Sequence, residues 1–250
     1  MNGKAAIQIH NLTKVYRGNP KPAINAVNLD VYEHNIFGLL GPNGAGKTTM
    51  IRILCGLLAP TKGEVTIGGY SLKREPQKIR KIIGVVPQEI ALYPTLTARE
   101  NLSVFGGICG LKGTDLKIQI NKWLSVFGLE KSQHQQVGKY SGGMKRRLNL
   151  IAGLLHNPQI LFLDEPTVGV DVQSKKVIID NLLEINRTGT TIVYTSHYLE
   201  EAENLCSYLS IIDEGIIIAQ GTLSDIRKER NPESSLEDIF LELTGKDLRD

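Results

Sequence analysis

"IFGLLGPNGAGKTTM", residues 36 to 50, decides the fold. An apolar run of strand character feeds into a turn carrying Gly41, Gly44 and Gly46, and the turn opens a helix that runs on through "MIRILCGLL". Gly41, Gly46, Lys47 and Thr48 stand at the spacing GxxxxGK[ST], in the strand, turn and helix order that the motif's mechanism needs. Glycine lets successive backbone N–H groups close on phosphate oxygens, and the helix start adds partial positive charge. Lys47 supplies a full charge to the outer phosphates, Thr48 places a hydroxyl on Mg²⁺, and Thr49 reaches an inner phosphate. Pro42, Asn43 and Ala45 complete the loop. The stretch is therefore expected to hold a nucleoside triphosphate.

Outward from this loop, the chain before residue 90 is strand-rich: "AIQIHN", the alternating "VNLDVY", then "EVTIGG" and "IIGVV" after the Pro and Gly of "APTKGEV". The middle changes character. "TARENLSVFGGICG" opens with Thr97 and Glu100 at capping-box spacing, and "TDLKIQINKWLSVFGL" is expected to place Ile118, Trp123, Leu124 and Phe127 on one helical face. From residue 158 strand and helix alternate again: "QILFLDEP", a helix from Asp171 to Ile185, "TTIVYTSH", a further helix, the paired short strands "LSIID" and "GIIIAQG", and a closing amphipathic helix in "SLEDIFLELTG". Such alternation favours an α/β fold, a parallel sheet wrapped by helices, with the helical insert as a separate lobe.

A phosphate loop serves many chemistries, so discrimination has to come from elsewhere. "ILFLDEP", residues 160 to 166, is a buried-strand pattern ending in two carboxylates. Asp164 is placed to hold Mg²⁺ through water and Glu165 to polarise an attacking water, although adjacent carboxylates also suit a solvated turn. "YSGGMKRRLNL", residues 140 to 150, sets Ser141, Gly142 and Gly143 before a helix. This is a generic helix start and equally a second anion site. Gln88 in "VVPQE" and His197 in "TSHYLEEAE" complete an ordered set.

That set resembles the ATP-binding cassette (ABC) ATPases: Walker A at 41 to 48, the Q-loop at Gln88, the signature at 141 to 145, Walker B at 160 to 165 and the switch histidine at His197. The resemblance covers essentially the whole chain. It implies a P-loop NTPase (RecA-like) core with an antiparallel β subdomain and an inserted α-helical subdomain. The implied boundaries are 1–89 with 158–225 for the core and β subdomain, 90–157 for the helical signature subdomain and 226–250 for a short C-terminal helical extension. It also assigns roles. Gln88 contacts Mg²⁺ and water and links the lobes, His197 contacts the γ-phosphate, Asp171 in "VGVD" occupies the D-loop position, and Tyr16 in "LTKVY" stacks on adenine. Tyr16 is otherwise a strand-end tyrosine of the core. Tyr140 and Met144 depart from the Leu and Gln of the signature LSGGQ, which removes an amide contact but leaves Ser141 and Gly143 able to bind phosphate.

In that family the signature of one cassette covers the nucleotide of another. A chain with one copy of each motif is therefore expected to pair head to tail with a second ATPase subunit, a copy of itself in the simplest case, with ATP and Mg²⁺ at the interface. "GPNGAGKTTMIRILCGLLAPTKGEV", "YSGGMKRRLNLIAGLLHNPQILFLDEPTVGVD" and "SLEDIFLELTG" look like the branch that exports antibiotics, nodulation factors and lipids. Subunits of that branch pair with separately encoded integral-membrane permeases, docked here through the lobe at 90–157, and the expected location is the cytoplasmic face of the cell membrane. The rival from another class is a soluble cassette protein acting on ribosomes or DNA. Its relatives carry two fused cassettes or a long coiled coil, which this sequence lacks. A regulatory GTPase is disfavoured because "NKWL" lacks the Asp of NKxD.

Bulk composition agrees with this reading. A formal charge of +3, from 29 basic against 26 acidic residues, makes no demand for nucleic acid, and none is expected as a partner. The basic clusters "KREPQKIRK" and "KRR" at 145 to 147 read as solvated helix faces. Cys55, Cys109 and Cys206 are odd in number and far apart, which fits reduced thiols. No apolar run approaches the roughly eighteen residues of a spanning helix.

Overall fold

The computed structural model describes residues 3–196, 198–228 and 233–245, so His197 lies outside the described residues. In chain order the elements are β1 (Ala5–Lys14), β2 (Ile24–Tyr32), β3 (Ile36–Leu40), α1 (Lys47–Leu54), β4 (Lys62–Ile67), β5 (Tyr70–Ser71), α2 (Pro76–Ile82) and β6 (Ile83–Val86). Then come α3 (Ala98–Ile108), α4 (Gly113–Val126), α5 (Gly142–Leu154), β7 (Ile160–Asp164), α6 (Val172–Arg187) and β8 (Thr191–Thr195). The chain closes with α7 (Leu199–Leu205), β9 (Tyr208–Asp213), β10 (Ile216–Gly221), α8 (Leu223–Lys228) and α9 (Leu236–Thr244). Two compact units emerge, Met1–Arg80 with Thr191–Asp250, and Lys81–Thr190.

The first unit holds two kinds of sheet. One is antiparallel, in the order β2-β1-β4-β5, and its strands alternate: Val27, Leu29 and Val31 of β2 are buried while Asn28 and Asp30 are not. Alternation of this kind marks a sheet with one solvated face. The other runs β10-β9-β3-β8, with β3 parallel to both β8 and β9 and β10 returning antiparallel on β9. All five residues of β3 and all five of β8 are buried, so these strands read as continuous apolar runs, as parallel strands covered on both faces do. Leu40, Leu209 and Ile211 of this sheet pack with Leu199 and Ala202 of α7, Ile226 of α8 and Leu236, Ile239 and Phe240 of α9. Each large side chain fully buried there contributes about 1.5–3 kcal/mol, which fixes the short α9 against the sheet.

The second unit pairs β6 and β7 in parallel, Ile83 beside Ile160 through Val86 beside Leu163. Around it lie α3, α4, α5 and α6. Helix α3 begins where Thr97 and Glu100 close a reciprocal capping box: Thr97 Oγ1 accepts from Glu100 N at 3.2 Å and Glu100 Oε2 accepts from Thr97 N at 2.7 Å. In α4 the buried stripe is Ile120, Trp123 and Leu124, continued by Phe127, whereas Ile118 is 55% exposed. The expectation for Ile118 is therefore corrected. Residue 118 lies two positions, about 200° of rotation, from Ile120 and so faces away from that stripe.

Candidate active site

In the first unit the phosphate loop runs from the end of β3 to the start of α1. Gly46 has φ +111°, and a Cβ there would stand 2.5 Å from the carbonyl oxygen of Ala23, so both its conformation and its surroundings require glycine. Lys47 is 6% exposed and its Nζ donates to the carbonyls of Gly41 at 2.6 Å and Pro42 at 3.0 Å, which turns the ammonium into the loop. Thr48 is exposed, and Thr49 Oγ1 lies 3.2 Å from the hydroxyl of Tyr16. Tyr16 is 39% exposed rather than a core residue, with Lys14 Nζ 5.5 Å from its ring centroid. The loop is braced from outside its own sequence. Gly215, in the turn between β9 and β10, donates its N–H to Ala45 O at 3.0 Å and accepts from Asn25 N at 2.8 Å. A cleft of about 300 Å³ adjoins Asn43, Gly44 and Ala45, and Lys21, Asp213 and Glu214 also line it.

In the second unit the parallel register of β6 and β7 ends both strands side by side, with Pro87–Gln88 following one and Asp164–Glu165 at the end of the other. Gln88 Nε2 donates to Glu165 Oε2 at 2.9 Å. Asp164 and Glu165 are each only 8% exposed, and Glu165 sits at φ +49°, a backbone state uncommon outside glycine. A second cluster forms at two helix starts. Ser141 caps α5, its Oγ accepting from Met144 N at 3.2 Å, and Asp171 caps α6, its Oδ1 accepting from Ser174 N at 2.9 Å. The backbone hydrogen bond from Ser174 is the main reason the Asp171 carboxyl lies below its ordinary value. A Cβ on Gly143 would stand 2.2 Å from Ser174 Oγ and 2.8 Å from Asp171 Oδ2, so the two helix starts meet only because residue 143 is glycine. Gly142 is exposed beside it.

Two residues escape a sequence-based reading. Tyr140, where the signature ordinarily has Leu, is buried and its hydroxyl donates to Ser132 O at 2.7 Å. The assignment of 145 to 147 to a solvated face fails at Arg146, which is 2% exposed. Helical period could have found it: position 146 lies three residues after Gly143 and four before Leu150, on the buried stripe. Its guanidinium donates to the carbonyls of Pro87, Gln88, Asp164, Glu165 and Pro166.

Residues 24–168 match the family described as "ABC transporter". The linearmycin resistance ATP-binding protein of Bacillus subtilis is 44% identical over 220 residues, 88% of this chain and 70% of the relative. The chain belongs to the ABC transporter family. Other relatives of this cassette include the doxorubicin resistance ATP-binding protein of Mycobacterium tuberculosis, 37% identical over 100% of this chain and 73% of the relative. Nod factor export ATP-binding protein I of Paraburkholderia xenovorans is 40% identical over 88% of this chain and 72% of the relative. Among solved structures, an ATP-binding subunit of an ABC transporter superposes with TM-score 0.87 at 28% identity, covering 95% of this chain and 99% of the other. A dimeric cassette in a post-hydrolysis state with ADP and phosphate superposes with TM-score 0.79 at 28% identity over 87% and 98%. The ABC cassette described here is an ATP-binding, ATP-hydrolysing subunit with the P-loop NTPase fold. ATP-binding subunits of this family pair with one another and work with membrane permeases. No helix among the described residues is long and apolar enough to cross a membrane.

Proposed function

We propose that this cassette powers export through a separate permease, with two copies of the chain closing head to tail around ATP. The observation that carries the hydrolytic part is the contact between Gln88 and the buried Glu165, which holds a carboxylate at the end of an all-buried strand. Glu165 takes a proton from the attacking water, and Gln88 orients that carboxylate. The loop from Gly41 to Gly46, Pro42 apart, wraps the phosphates with backbone N–H groups, Lys47 and Thr49 meet their oxygens, and Tyr16 stacks on adenine. His197 meets the γ-phosphate. Ser141, Gly142 and Gly143 of one copy meet the nucleotide held by the other, with Asp171 beside them.

Thr48, Gln88 and Asp164 offer hydroxyl, amide and carboxylate oxygens, the hard donor set that suits Mg²⁺ alongside phosphate and water. When bound there, Mg²⁺ neutralises charge on the phosphates. The exporter reading is supported by the resistance and Nod factor export relatives, and with it goes a location on the inner face of the membrane through the permease.

Glu165→Gln tests the reading. Turnover is expected to fall about 10²-fold or more, the size of effect associated with losing a general base, while ATP stays bound. With ATP and Mg²⁺ this variant is expected to elute from size exclusion as a dimer. A monomer at high protein concentration, or turnover equal to the parent's, overturns the proposal.

A further inference from the structure

Arg146 is a buried cation with a geometry the five recognised motifs do not account for. It sits on the first turns of α5, five residues past the Ser141 cap. Its Nε donates to Pro166 O at 2.7 Å. Its Nη1 donates to Pro87 O at 2.9 Å and Gln88 O at 2.8 Å, and its Nη2 donates to Asp164 O at 3.2 Å and to Glu165 O. A guanidinium has five N–H groups in a rigid fork, and here there is one carbonyl for each. These five acceptors are main-chain oxygens of two segments, the one leaving β6 and the one leaving β7. Bonds to main-chain carbonyls act on the path of the backbone itself, and so these five fix where the chain goes.

The path it fixes is unusual. Glu165 is held at φ +49° immediately before Pro166, although a residue preceding proline is driven toward extended backbone. Such a conformation persists where the surroundings over-determine it. Two Arg146 donors, to Glu165 O and Pro166 O, flank that turn, and two more hold Pro87 and Gln88, whose amide grips the Glu165 carboxylate. We propose that Arg146 is a positioning residue for ATP hydrolysis, its buried guanidinium locking the Glu165 turn and the Gln88 segment into one rigid unit with the helix that begins at Ser141.

The inference rests on Glu165 as the general base, and the test separates the two. Turnover by the full chain with Mg-ATP is measured for the parent, Arg146→Lys, Glu165→Gln and the double variant, with ATP affinity and thermal midpoint recorded for each. Lysine keeps the charge but has no planar fork. Arg146→Lys is expected to lower kcat about 10- to 10²-fold, the scale of a misplaced catalytic group, with KM within about twofold. In the Glu165→Gln background the same change is expected to have almost no further effect on turnover, because the group being positioned is already gone. A purely structural role would instead lower the thermal midpoint and multiply through both backgrounds alike.

Parental kcat in Arg146→Lys overturns the inference, and so does an equal proportional loss in the two backgrounds. If Arg146→Lys and Arg146→Gln both fail to fold, Arg146 is a scaffold residue and the inference is also overturned. If Glu165→Gln itself turns over normally, it is the general-base assignment that has failed.

Discussion

Gly143 shows how tightly a single position is specified. With Ser174 Oγ 2.2 Å and Ser174 Cβ 2.6 Å from where its Cβ would be, a methyl group cannot enter without shifting the start of α5 or of α6. Ser174 is itself buried, 8% exposed. Gly143→Ala is therefore expected to cost about 1–3 kcal/mol, the usual range for overpacking, read as a lower urea midpoint at unchanged slope. A variant as stable as the parent would show that the two helix starts can separate freely. At this scale the sequence reads Gly143 as part of a helix start, which we propose binds phosphate. That Ser174 and Asp171 are what forbid a side chain is invisible in it, because they lie some thirty residues downstream and reach Gly143 only through packing.

Among the elements, those with local signals are the ones legible in advance. Thr97 and Glu100 announce α3 because a capping box is a contact between residues three apart. Thr97→Ala is expected to cost about 1 kcal/mol at neutral pH, measured by chemical unfolding. The Glu100 carboxyl lies below its ordinary range because it accepts hydrogen bonds first from the Thr97 backbone and then from its hydroxyl. A depressed carboxylate stabilises the fold above its unfolded pKa and loses that contribution as pH falls through the folded value. The difference between parent and Thr97→Ala should therefore shrink in acid. A gap that stays constant down to the lowest pH at which both fold would contradict this. Ile118 illustrates the opposite case: Ile118 and Ile120, two residues apart, compete for one buried stripe, and only the packing of α4 decides that Ile120 faces inward and Ile118 outward.

For the whole molecule, the consequence of an ATP-closed pair is thermodynamic linkage. A ligand bound only by the folded state adds RT ln(1 + [L]/Kd), about 2.7 kcal/mol at a hundredfold excess over Kd. Glu165→Gln, with ATP and Mg²⁺, is expected to melt at a temperature that rises with both nucleotide and protein concentration. Removing Mg²⁺ with a chelator should abolish the protein-concentration dependence. A midpoint that follows nucleotide but ignores protein concentration would mean that ATP binds without pairing the copies.

What the sequence by itself determined was the class: the strand, glycine turn and helix of the phosphate loop, the order of the motifs along the chain, and the apolar strands that declare a parallel sheet. These are legible because each depends on residues close together in the chain, joined by backbone geometry with fixed periods. The tertiary structure alone decided how the motifs are supported. Gly215 braces the phosphate loop from the far end of the chain, and Arg146 turns inward to tie Gln88 to Glu165. A hydrogen bond to a main-chain carbonyl leaves no mark in its partner's side chain, so these five contacts of Arg146 cannot be read from the identities of residues 87, 88 and 164 to 166.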